Sequence, residues 1–190
     1  GISEELAINE AKRCLDCVNP TCISGCPVRI NIPKFIKLVE AGKFAESAKV
    51  LKETNTLPAV CGRVCPQEVQ CEEACFYQQK LKKTPIAIGH LERFVADWET
   101  ASGNISIPVM AKKNQIKMAV IGSGPAGLTV AGDLAKMGYD VTVFEALHEI
   151  GGVLKYGIPE FRLPNNIIDN EIEKKKKMGV TFRPNCIISK

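Results

Sequence analysis

Eight of the nine cysteines fall between positions 14 and 75, in two groups. The first reads C-x2-C-x4-C-x3-C-P (Cys14, Cys17, Cys22, Cys26, Pro27) and the second C-x3-C-P-x4-C-x3-C (Cys61, Cys65, Pro66, Cys71, Cys75). Thiols at such spacing serve as crosslinks, as zinc ligands or as ligands of an electron-transfer centre. Disulfides need an oxidising compartment, and the amino terminus has no basic-then-apolar leader pattern. Zinc in two four-cysteine sites is the stronger rival and would make this a structural docking module. Paired C-x2-C knuckles are expected there, yet only Cys14 and Cys17 form one. Iron–sulfur clusters fit better: closely spaced thiolates wrap one face of a cubane, and the cysteine before a proline turns away to another cluster. On that logic Cys14, Cys17 and Cys22 share one [4Fe–4S] cluster, and Cys26 belongs to a second.

A different chemistry starts after residue 115. The apolar run Lys117 to Ile121 leads into Gly122-Ser123-Gly124-Pro125-Ala126-Gly127, then a helical stretch from Leu128 to Lys136, then a strand from Val141 to Phe144 ending at Glu145. A G-x-G-x-x-G turn between strand and helix, with an acidic residue roughly 20 positions on, is the dinucleotide fingerprint. Gly122 permits the tight turn, Gly124 lets the backbone approach a pyrophosphate, and Gly127 allows close helix–strand packing. Pro125 and Ala126 open the helix whose amino terminus would face phosphate. Glu145 would accept hydrogen bonds from a ribose hydroxyl, which favours FAD or NAD(H) over a 2′-phosphorylated nucleotide.

The elements that must hold these residues follow from the pattern. Ser3 caps a first helix running to Cys14, and Asn31 and Pro33 start a second that stops at Gly42. A third amphipathic segment carries Phe44, Ala48, Val50 and Leu51, before the turn-like run Thr54 to Pro58. A last helix from about Ile88 to Ala101 puts Leu91, Phe94, Val95 and Trp98 on one face. The expected fold is an α-helical iron–sulfur domain, residues 1–101, and a linker, 102–115, marked by Gly103, Asn104 and Pro108. The first part of an α/β Rossmann-type FAD-binding domain follows, residues 116–190.

The chain has 190 residues, is 45% hydrophobic and 24% charged, and carries a net charge of +4 that lies wholly in its second part. The run Lys174 to Lys177 reads as a solvated helix face, because no aromatic or arginine-rich pattern accompanies it. Nucleic-acid and membrane binding are not expected, and the location expected is cytoplasmic. His90 and His148 read as surface or packing residues, Cys186 as a buried thiol in a strand, and no residue as a catalytic acid, base or nucleophile.

The stretches CLDCVNPTCISGCPVRINIPKFI, TNTLPAVCGRVCPQEVQCEEAC, PIAIGHLERFVAD, AVIGSGPAGLTVAGDLAKMGYDVTVFEA and GGVLKYGIPEFRLP cover nearly all of residues 5 to 165. In that order they resemble the amino-terminal part of the glutamate synthase small chain family. The family includes the small (beta) subunit of NADPH-dependent glutamate synthase, the large subunit of NADH-dependent ferredoxin:NADP oxidoreductase, sulfide dehydrogenase and a region of dihydropyrimidine dehydrogenase. The resemblance implies FAD as the nucleotide, approached by Gly151, Gly152 and Arg162. It also implies one cluster on Cys14, Cys17, Cys22 and Cys75 and another on Cys26, Cys65, Cys71 and Glu92. Cys61 is then a bystander; the plain reading of Glu92 is an exposed surface residue.

Family members run on past residue 190 with an NAD(P)H-binding domain, so a piece of a longer protein is expected, weak in FAD binding and inactive alone. In the parent, electrons from NADPH would pass through FAD and the clusters to the glutamate synthase large (alpha) subunit. The alternative partner is another redox subunit, as in flavin-bifurcating or sulfide dehydrogenase enzymes.

Overall fold

Ser3 begins the structure as expected: its Oγ accepts the Leu6 N–H at 3.3 Å, with Glu4 and Glu5 in the first turn and Lys12 in the last, the arrangement the helix dipole favours. The computed structural model describes residues 1–103 and 105–189. It divides into two units, Gly1–Ser106 and Ile107–Lys190. The division falls inside the stretch expected to be a linker; Asn104, one of its turn residues, lies outside the described residues.

The first unit is helical: α1 (Glu4–Lys12), α2 (Thr21–Gly25), α3 (Ile32–Glu40), α4 (Phe44–Thr54), α5 (Pro58–Val64), α6 (Phe76–Gln79) and α7 (Ile88–Ser102). Helix α1 ends two residues short of Cys14, and Cys61 lies inside α5, a helix not expected from the sequence pattern. Asn31 Oδ1 accepts the Lys34 N–H, Pro33 opens α3, and Gly42 follows it at a φ of 69°. The core is built from α1, α3, α4 and α7, with Phe35, Ile36, Val39, Leu51, Leu91 and Val95 fully buried. Burying a side chain of the size of Leu91 stabilises by about 1.5–3 kcal/mol. Phe44 meets Phe94 edge-on at 5.1 Å and Trp98 at 5.4 Å, which fixes α4 against α7.

Helix α7 is held at both ends from outside. At its start, the Ala87 N–H donates to Glu10 Oε1 at 2.8 Å and the Gly89 N–H to Glu72 Oε1 at 3.0 Å, so two distant carboxylates satisfy amide donors that a helix end leaves open. Near its end, Glu99 Oε1 accepts from Lys52 Nζ and from the Ser106 N–H and Oγ–H.

In the second unit β1 (Lys117–Ile121), α8 (Pro125–Lys136), β2 (Asp140–Phe144), α9 (Val153–Tyr156), α10 (Asn165–Lys177) and β3 (Thr181–Arg183) follow one another. The three strands are parallel in the order β1-β2-β3, with Val120 beside Val143 and Val143 beside Phe182. Val141 and Val143 are fully buried beneath Ala131 of α8. Part of the expected linker is tied to this unit: the Ala111 N–H donates to Lys136 O and the Asn114 N–H to Gly138 O.

Two expectations fail here. Lys174 and Lys175 are buried, 7% and 3% exposed, and pair with buried Glu171, leaving only Lys176 and Lys177 of the run on a solvated face. The reason is helical spacing: Ile168, Glu171, Ile172 and Lys175 recur three and four residues apart and so share the inner face. Cys186 is half-buried and lies beyond β3, which is only three residues long, with its N–H donating to Glu145 O.

Candidate functional site

The two cysteine groups are brought together by a glycine. A Cβ at Gly25 would stand 2.7 Å from the Ala74 Cβ and 2.8 Å from the Gln70 oxygen, so only glycine lets α2 lie on residues 70–74. Thr21 Oγ1 donates to Ala74 O at the other end of the same contact. Cys22 and Cys26, on either side of this crossing, are thereby laid along Cys71 and Cys75.

The result is a cavity lined by Cys14, Cys17, Cys22 and Cys75, walled by Ile32, Ile36, Ile86 and Ile88. Burial pushes the Cys22 thiol up to about 12, with the nearby Cys75 and Cys14 adding to it, and burial also raises Cys14. Thiolates are expensive here until a cation neutralises them, which is the setting of a thiolate-bound metal group. Four sulfurs around one apolar cavity form a donor set that suits an iron–sulfur cluster.

A second gathering lies where α5 crosses α7. A Cβ at Gly62 would be 2.6 Å from the Arg93 backbone nitrogen, so glycine is again required for the approach that sets Cys61 and Cys65 beside Glu92. Glu92 is 5% exposed, against its plain reading as a surface residue. Burial, then the neighbouring Cys65, raise its carboxyl to about 8, against a hydrogen bond from Asn55. Cys71 is pushed up to about 12 by burial, then by the charges of Glu72, Cys26 and Glu92. A hydrogen bond with Cys61 lowers Cys65 to about 7, and that same contact, with burial, raises Cys61. Cys61 and Cys65 thus lie beside Glu92, and Cys71 beside Cys26 and Glu92, which brings soft and hard side chains into one neighbourhood, although among the described residues no three of them close on a single ion position.

Asn55, read from sequence as a turn residue only, is buried against Glu92 and Cys61. Its Nδ2 donates to Glu92 Oε1 at 2.7 Å, while its Oδ1 accepts from the Leu57 N–H at 2.9 Å and from Cys61 Sγ at 3.6 Å. The signal was its place in an Asn-x-Leu-Pro turn, which accounts for the backbone bond but not for the other two.

In the second unit Gly122 turns at a φ of 89° and its N–H donates to Phe144 O at 2.8 Å. A Cβ at Gly127 would stand 2.0 Å from the Gly122 oxygen, whereas one at Gly124 would meet nothing within 4 Å. Gly124 therefore borders open space at the amino terminus of α8, where Pro125 and Ala126 begin the helix without a side-chain cap. That is a fit for the phosphates of a dinucleotide. Gly152, at a φ of 53°, packs onto this turn: a Cβ there would be 2.9 Å from the Gly124 Cα.

Glu145 Oε2 accepts the Ser123 N–H at 2.8 Å and the Ser123 Oγ–H at 2.5 Å, and its Oε1 accepts the Leu147 N–H at 2.9 Å. Burial alone would raise its carboxyl, but these bonds and the Ala146 N–H hold it below the ordinary value. The expected ribose acceptor is thus also the brace of the turn. Ser123, absent from the sequence-based site, passes the brace on by accepting the Gly151 N–H at 2.9 Å. Arg162 stands exposed in the loop before α10.

Comparison with known proteins supplies the family. Residues 120–168 match an NAD(P)-binding Rossmann-like domain. The chain is 43% identical over 185 residues to the NAD-dependent dihydropyrimidine dehydrogenase subunit PreT of Escherichia coli O157:H7, covering 97% of this chain and 44% of that one. It is 39% identical over 188 residues to the glutamate synthase [NADPH] small chain of Escherichia coli K12, covering 99% and 39%. To the glutamate synthase [NADPH] small chain of Azospirillum brasilense it is 36% identical over 183 residues, covering 96% and 38%. The chain thus spans less than half the length of these relatives. Residues 1–104, more than half of the chain, match the model described as dihydropyrimidine dehydrogenase domain II, 4Fe-4S cluster, and the chain belongs to that family.

Proposed function

We propose that this chain is the electron-transfer portion of an NAD(P)H-dependent oxidoreductase of the glutamate synthase small chain and PreT type, holding two [4Fe–4S] clusters and the ADP side of an FAD. The observation that carries the reading is the cavity lined by Cys14, Cys17, Cys22 and Cys75, contributed by two segments far apart in sequence. In this reading Cys26, Cys65, Cys71 and Glu92 hold the second cluster. When bound, the flavin converts hydride transfer into single electrons and the clusters carry them onward.

The chain's own work is to hold and shield. The isoleucine walls would keep water from the first cluster, the α8 amino terminus and Gly124 would receive the pyrophosphate, and Glu145, which braces the turn through Ser123, is the acidic residue that would meet the ribose. Arg162, exposed in the loop before α10, is the side chain that would approach the flavin. The partner is a second redox subunit, either a glutamate synthase large (alpha) subunit or a dihydropyrimidine-reducing one. The higher identity to PreT, 43% against 39%, favours the latter. A cytoplasmic location goes with this reading, since thiolate ligands persist in a reducing compartment.

The test is the iron, acid-labile sulfide and zinc content of protein purified without oxygen. About eight irons and eight sulfides per chain support two cubanes. About two zincs and no visible absorption would make the first unit a structural docking module.

A further inference from the structure

One buried amide touches both side chains that compete to complete the second cysteine set. The orientation of that amide is settled by chemistry. A backbone N–H only donates, so the Leu57 N–H at 2.9 Å must face the Asn55 oxygen, and the Asn55 nitrogen then faces Glu92 Oε1 at 2.7 Å. The oxygen's remaining lone pair faces Cys61 Sγ at 3.6 Å. Asn55 is 3% exposed and Glu92 5%, so water does not compete for either contact.

Cys61 and Glu92 both lie beside Cys65. A soft thiolate is the ordinary partner of iron in such clusters, so by donor type alone Cys61 would win. A group that orients a ligand from behind is what sets its geometry at a metal.

We infer that Asn55 is a positioning residue that selects Glu92 over Cys61 as the side chain completing the second cluster, holding the carboxylate through Nδ2 and engaging the Cys61 sulfur through Oδ1. The inference rests on the two-cluster reading above. Asn55 is fixed independently of the cluster, because Leu57 anchors it and Gly62 sets the distance between α5 and α7.

The test uses the intact protein purified without oxygen, with iron per chain and the midpoint potentials of both clusters read by EPR-monitored titration. Asn55→Asp keeps an oxygen for Leu57 and Cys61 and replaces the donor to Glu92 with a carboxylate oxygen, so attraction for Glu92 becomes repulsion. Expected are unchanged iron and potentials in Cys61→Ser, a shift of one potential out of two in Asn55→Asp, and loss of about half of the eight irons in the Asn55→Asp/Cys61→Ser double variant. The last result shows that Cys61 has become a ligand. Unchanged potentials in Asn55→Asp, or a double variant that keeps all its iron, overturn the inference. Asn55→Ala, which removes both contacts, gives the same readings should the Asp variant not fold. Glu92→Ala separates the failures: if it leaves iron and both potentials unchanged, the ligand reading itself falls. If it shifts a potential and the Asn55 variants do not, only the role of Asn55 falls.

Discussion

Gly62 of α5 and Arg93 of α7 touch backbone to backbone: a methyl group on Gly62 would stand 2.6 Å from the Arg93 nitrogen and 2.7 Å from its Cα. Neither atom is the end of a flexible side chain, so the helices would have to part. Gly62→Ala is expected to destabilise the first unit by about 1–3 kcal/mol. It should also lower iron content, because Cys65 and Glu92 separate. A thermal unfolding midpoint equal to that of the wild type would refute this.

Cys26 and Cys61 should behave differently although each belongs to a four-cysteine group. Cys26→Ala is expected to remove or degrade one cluster, taking about half of the iron and part of the fold with it, since structural metal sites contribute folding energy directly. Cys61→Ala should leave iron unchanged, because Asn55 holds Glu92 in the fourth place. Equal iron loss in the two variants would sink the assignment.

The Lys52–Glu99–Ser106 group predicts a pH dependence. Burial would raise the Glu99 carboxyl, but the bond and charge of Lys52, together with the Ser106 bonds, hold it below its ordinary 4.5. A folded value below the unfolded one means stability that is present above 4.5 and is lost as pH falls through the folded value. Glu99→Gln removes the counter-charge of half-buried Lys52, which keeps its bonds to Ser106, and should cost about 1–3 kcal/mol near pH 7. The gap between wild type and variant should narrow below pH 4.5, as unfolding measured across that range would show.

Two glycines of the dinucleotide turn should separate folding from binding. Gly127→Ala places a methyl 2.0 Å from the Gly122 oxygen and should destabilise the second unit. Gly124, at φ −66°, accepts alanine without strain, and the added methyl enters open space. Gly124→Ala is expected to fold with unchanged thermal stability while the flavin content of the intact protein falls. Full flavin occupancy in that variant would argue against the turn as a phosphate site.

Strands β1 and β2 and the turn after β1 were legible because both strands are short β-branched apolar runs and the turn needs glycine at fixed offsets, although only Val120 of β1 is buried. Of the first unit, α1 and α3 were legible from the caps Ser3 and Asn31 and α4 and α7 from their apolar spacing, whereas the short helices α2, α5 and α6 were not read from the sequence. What escaped was side-chain partnership. Lys175 was misjudged because a charge run says nothing about which helical positions face Ile168 and Ile172. Asn55 was taken for a turn residue because that is half of what it does. Glu145 was matched to a ribose while its bonds to Ser123 were invisible, since a carboxylate's neighbours are set by loop closure and leave no spacing signal. Cys186 was assigned to a strand that stops at Arg183.

The bond from Thr21 to Ala74 joins residues 53 positions apart. It sits beside the cavity whose last wall is Cys75. A ribosome adding roughly 5–20 residues per second delivers Cys14, Cys17 and Cys22 several seconds before that wall exists. During that interval the nascent chain presents three thiols and an open corner, which any soft metal in the cell can reach. Loading with the intended group therefore waits until the growing chain has passed Cys75, and the order of synthesis makes the later segment, Gly25's landing place at residues 70–74, the gate for maturation.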